Sequence, residues 1–73
     1  MIATILFDDG AQFAVDTGGE FTSADDACEF VWDLLHAGDA ITGRWADENG
    51  VPQEQMRVCM FYERAIRCVM VNV

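Results

Sequence analysis

Lysine is missing from all 73 residues, and no arginine appears before Arg44. The chain has a single serine, Ser23, a single histidine, His36, and a single proline, Pro52. These shortages bear first on catalysis, because a nucleophile needs a base beside it and an orienting group behind that base. Ser23 stands where a helix begins, and Cys28 and His36 lie two turns apart in one helical pattern, roughly 80° around it. A phosphate loop needs more glycines than Gly18-Gly19 and a lysine as well, so that pair reads as a connector. A calcium loop needs alternating Asp/Asn ligands and a distal Glu, which neither Asp8-Asp9-Gly10 nor Asp47-Glu48-Asn49-Gly50 supplies. The expectation is a protein that is not an enzyme, with no cofactor and no metal ion.

The cysteines do not pair by number or spacing. Cys28, Cys59 and Cys68 are odd in number and lack C-x-x-C spacing, which argues against a secreted disulfide scaffold and for buried thiols in a reducing cytoplasm. No apolar run approaches the roughly 18 residues of a membrane span, since Met1 to Phe7 meets Asp8 and Asp9 at once. That run reads as a strand. A chain of this length holds one domain, 1–73, with one small core, and an apolar content of 52% places it among folded proteins despite a net charge of −9.

The charge is unevenly placed. Asp8, Asp9, Asp16, Glu20, Asp25, Asp26, Glu29, Asp33 and Asp39 precede the first arginine, so residues 1–43 carry the whole −9. Beyond them Asp47, Glu48, Glu54 and Glu63 are matched by Arg44, Arg57, Arg64 and Arg67. Phosphate contacts need basic side chains, so direct binding to nucleic acid is disfavoured.

Ile2 to Phe7 and Ala11 to Asp16 read as two strands, joined by Asp9-Gly10 as a two-residue type I′ turn. Thr17-Gly18-Gly19 breaks the pattern. From Thr22 or Ser23 to Ala37 the period becomes helical: Ser23 suits the N-cap, Asp26 follows three residues on, and Gly38 suits the exit. Ala40 to Asp47 reads as a third strand, with Ile41 and Trp45 on one face and Thr42 and Arg44 on the other, ending near Asn49-Gly50. Met56 to Tyr62 and Ile66 to Val73 read as two more strands, although Glu63-Arg64-Ala65 between them is poor turn chemistry. A helix from Pro52 to about Arg64 is the alternative for that stretch. The fold expected is α+β, an antiparallel ββαβββ sheet with one amphipathic helix packed on one face.

At about 100° per residue, Asp25, His36, Glu29, Asp33 and Asp26 share one arc of the helix, opposite Leu34, Ala27, Val31, Ala24, Leu35 and Cys28. Phe30 and Trp32 fall at the borders, where a large aromatic can be half-buried and still touch a partner. His36 complements the helix C-terminus and can pair with Asp33. Asp25, Glu29 and Asp33 recur every four residues, a spacing at which like charges weaken a helix slightly, so local stability does not account for the stripe. Two bland readings compete: a solvated face that keeps a small protein soluble, and a halophilic host. The neutral second half and high apolar content argue against the host reading.

In size, charge and lack of catalytic equipment, with Asp25, Asp26, Glu29 and Asp33 on one face, the chain resembles the small phage-encoded anti-CRISPR proteins and DNA mimics. The resemblance implies inhibition of a basic nucleic-acid-binding protein, for instance a CRISPR effector subunit, in the host cell cytoplasm. The expected partner-binding residues are Asp25, Asp26, Glu29 and Asp33, with Asp8 and Asp9 if the hairpin tip lies nearby, and Trp32 as an apolar anchor. A second reading is an accessory or assembly protein, monomer or weak homodimer, that associates through a sheet edge or the apolar face of its C-terminal strands, where Met56, Met60 and Met70 are adaptable.

Overall fold

Alternation of apolar and polar residues sets the sheet. In the computed structural model, which describes residues 2–17 and 21–72, five strands, one helix and a 3₁₀ turn follow one another. They are β1 (Ile2–Phe7), β2 (Gln12–Val15), α1 (Ala24–Ala37), β3 (Ile41–Trp45), β4 (Arg57–Cys59), the 3₁₀ turn Glu63–Ala65 and β5 (Ile66–Asn72). The strands form one antiparallel sheet in the order β4-β3-β2-β1-β5. The fold is α+β, a five-stranded antiparallel sheet with one helix. The Gly18-Gly19 connector lies outside the described residues.

Odd-numbered residues of the first three strands point to one face: Ala3, Ile5, Phe7, Phe13, Val15 and Ile41 are buried there with Val31 and Leu35 of α1. The helix lies mainly over β5 and β1, leaving the β2–β3 end of that face to be covered by something else. The cover is Phe61, whose ring meets Phe7, Phe13 and Trp45 at centroid separations of 5.1, 5.0 and 5.8 Å. The helix and the crossover between β4 and β5, which carries Phe61, together form the second layer. Beneath the aromatic cluster Gly43 is required, since a Cβ there would sit 2.3 Å from the Ala14 carbonyl oxygen and 2.6 Å from the Phe13 ring.

This crossover corrects the expectation for residues 56–62. A strand from Met56 to Tyr62 shrinks to three residues, because Phe61 leaves the ladder to cover the rings. The chain then crosses from one edge of the sheet to the other, where β5 pairs with β1. Glu63-Arg64-Ala65 is poor hairpin chemistry because it ends a crossover, and the alternative helix from Pro52 to Arg64 does not form.

The first hairpin also differs in detail. A type I′ turn needs positive φ at both central residues, yet only Gly10 has it, at 91°. Asp8, Asp9 and Gly10 instead make a three-residue loop, with the Gly10 N–H donating to Phe7 O and the Phe7 N–H to Ala11 O. Asp47 to Val51 repeats these bonds, Gly50 to Asp47 and Asp47 to Val51, with Gly50 at φ 81°.

The helix ends follow local chemistry closely. Ser23 Oγ accepts from the Asp26 N–H at 3.2 Å, while the Asp26 carboxylate accepts from the Thr22 hydroxyl at 3.2 Å, a variant of the reciprocal cap. At the far end Gly38 adopts φ 71°, and the Gly38 and Asp39 N–H groups donate to Leu35 O and Leu34 O, the Schellman pattern. Ser23→Ala is expected to destabilise by about 1 kcal/mol, read as a fall of about 4–8 °C in thermal midpoint for a domain of this size. An unchanged midpoint would mean that the cap contributes nothing.

Candidate functional site

The capped helix holds four carboxylates in one arc. Asp25, Asp26, Glu29 and Asp33 are all exposed, while Ala27, Val31 and Leu35 on the opposite side are buried. Asp25 to Asp33 spans eight residues, about 12 Å of helix axis. Among the described residues no arginine comes within ion-pair distance of these four; the one ion pair is His36 with Glu63.

That pair differs from the expected one with Asp33. His36 Nδ1 lies 2.7 Å from Glu63 Oε1, and because an ionised carboxylate only accepts, Nδ1 carries the proton. Glu63 belongs to the 3₁₀ turn, so the contact joins the helix end to the crossover. Trp32 is half-buried, packed on the core and stacked on His36 at a centroid distance of 5.6 Å and 26° between planes. The imidazole therefore covers part of the indole, and the indole retains an outward portion beside the acidic arc. Phe30, at the other border, packs against Phe21 at 5.3 Å.

Asp8 and Asp9 stand on a different element, the β1–β2 loop, and Asp9 Oδ1 accepts from the Ala11 N–H at 2.9 Å. No hydrogen bond or ion pair joins them to the helix carboxylates among the described residues. The hairpin tip lies at the end of the sheet where Phe7 meets Ile66, the end that the helix C-terminus reaches through His36 and Glu63, whereas Cys28 in the first half of the helix approaches Val69, opposite Ile5. The compact candidate surface is the helix arc with the edge of Trp32, and the two loop aspartates stand on a different element toward the helix C-terminal end.

Cys28, Cys59 and Cys68 are partly buried free thiols. No group of three or more His, Cys, Asp and Glu side chains is placed to hold a metal ion among the described residues, and no helix there is long and apolar enough to cross a membrane. A surface recess bounded by Trp45, Gln53, Glu54, Gln55 and Arg57 is polar-lined and wide open.

Met56, Val58, Met60 and Tyr62, on and beside edge strand β4, are exposed at 39, 69, 72 and 80%, with Met56 in a recess beside Arg44 and Met60 and Tyr62 in another beside Gly38. Their signal in the sequence is the alternation through 56–62, which reads as an ordinary half-buried strand until the crossover is known to pull only Phe61 inward. Comparison with protein families, with curated proteins and with solved structures found no match to this chain.

Proposed function

We propose that the protein is a stoichiometric inhibitor of the anti-CRISPR or anti-defence type, which presents the outer face of α1 to a basic nucleic-acid-binding protein in place of phosphate. The observation that carries this reading is the density of unmatched charge. Four exposed carboxylates over about 12 Å of axis amount to roughly one charge per 3–4 Å, comparable to the roughly 3.4 Å per charge of one DNA strand. Like charges so placed do not help the helix, and helix packing does not require them, since the core contacts come from the opposite side. Trp32 adds apolar area at the rim, the kind of side chain that often carries interface energy. Two acidic chains repel one another through this face, whereas a Lys/Arg-lined groove attracts it.

The test is competition. A labelled DNA duplex bound to an RNA-guided CRISPR effector is titrated with the protein at several ionic strengths. The expected result is release of the duplex at about one protein per effector, with apparent affinity falling about tenfold or more from 50 to 200 mM salt. Release that is indifferent to salt, or no release from any effector offering a basic groove, counts against the proposal.

A further inference from the structure

The sheet has two outer strands, and they are treated differently. Along β5 the helix overhangs the edge: Asp8 N–H donates to Ala65 O, even-numbered residues from Cys68 onward face β1, and Cys28 Sγ comes within 3.9 Å of the outward carbonyl of Val69. Along β4 nothing among the described residues does so. The Asp16 N–H donates to Thr42 O at 2.9 Å, so Thr42 turns its backbone toward β2. Its antiparallel partner Val58 therefore directs both its N–H and its C=O away from the sheet. Arg57 and Cys59, opposite Gly43 and Ile41, make the inward bonds.

We propose that β4 is a homodimerisation edge, which pairs antiparallel with β4 of a second copy about a two-fold axis at Val58. Two observations select a second copy as the occupant. The first is register: antiparallel pairing centred on Val58 sets Val58 against itself and, carried one residue past each end of β4, sets Met56 against Met60 of the second copy, so apolar residues are paired in sequence. The second is charge. Gln55 to Phe61, the stretch symmetric about Val58, contains Arg57 and no acid, so two chains of −9 can approach here with the least repulsion. Such a contact gives a dimer of modest affinity. A two-fold of this kind runs perpendicular to the sheet, so both helices lie on one side of a ten-stranded sheet and both acidic faces are displayed together.

The dimer responds to salt in the opposite sense from the acidic face. Screening relieves repulsion between two negative chains while the apolar contact persists, so dimerisation strengthens as salt rises. Sedimentation velocity of the full chain from about 5 to 200 µM, at 50 and 500 mM NaCl, reads this out. The expected result is a concentration-dependent shift toward twice the chain mass, larger at 500 mM.

Val58→Pro removes only the outward N–H, which the β3–β4 ladder does not use, and Val58→Lys places like charges against each other across the axis. Both are expected to weaken association at least tenfold with the far-ultraviolet circular dichroism of the monomer retained. A wild-type chain that stays monomeric at 200 µM and 500 mM NaCl overturns the proposal, and so does a dimer that survives both substitutions. Neither result touches the inhibitor reading, which concerns the helix and a different partner.

Discussion

Phe13→Ala is expected to abolish cooperative folding at 25 °C. Phe13 is fully buried at the centre of the sheet, with edge contacts to Trp45 at 5.1 Å and to Phe61 at 5.0 Å, and it lies over the space left by Gly43. Removing a buried Phe side chain costs about 3–5 kcal/mol, transfer and cavity together. A core in a domain of this size, with no disulfide to support it, provides only about 3–5 kcal/mol in all. The loss therefore matches the whole margin, and Phe61 would have no ring beneath it to hold the crossover on the sheet. Loss of the near-ultraviolet tryptophan signal and of a sigmoidal urea transition are the readouts. A cooperative transition weakened by less than about 1 kcal/mol would contradict the packing described.

The combined variant Asp25→Lys, Glu29→Lys and Asp33→Lys is expected to lose at least 100-fold in affinity for the proposed basic partner while keeping its fold. The three side chains are exposed and form no ion pair among the described residues, so their replacement breaks no tertiary contact. Within the helix the stripe remains like-charged after reversal, at a few tenths of a kcal/mol per pair as before. The lysine that replaces Asp25, at the positive end of the helix dipole, is less favourable than the aspartate. The one that replaces Asp33, near the negative end, is more favourable, and these changes offset one another. Stability thus stays nearly level. At the interface, by contrast, each attraction becomes a repulsion, and like charges brought together there cost several kcal/mol. Titration calorimetry for binding and thermal melting for stability separate the two effects. Retained affinity with an intact fold would remove the helix face from consideration.

How much of this is legible in the residues follows from how local each signal is. Ser23, Asp26 and Gly38 act on backbone groups within a few positions of themselves, so the helix and both of its ends can be read directly. The same is true of the acidic arc, which needs only the helical period. The hairpin is legible in place but not in type, because Asp9-Gly10 satisfies two turn geometries and the choice depends on whether Asp9 takes positive φ. Residues 56–62 mislead for a non-local reason. Their alternation is that of a long strand, but Phe61 has three rings waiting for it on β1, β2 and β3, and no local pattern reports those rings. The pairing of His36 with Glu63 across 27 positions has the same origin, since it exists only once the crossover has passed the helix end. The exposed row beside β4 follows from that crossover too: alternation implies a half-buried strand, and shortening it leaves Val58 and its neighbours uncovered.

One comparison tests the central idea, that unmatched charge on the outer face of α1 does the binding and total charge does not. It sets two neutralised triples side by side in the duplex-release assay: Asp25→Asn, Glu29→Gln, Asp33→Asn on the helix, and Asp47→Asn, Glu48→Gln, Glu54→Gln in the loop between β3 and β4. Both variants change the net charge by the same amount. The prediction is that the helix triple releases duplex at least 30-fold less effectively, while the loop triple stays within about threefold of the parent chain. Equal losses from the two triples would show that location is irrelevant and that α1 presents only a hydrated surface.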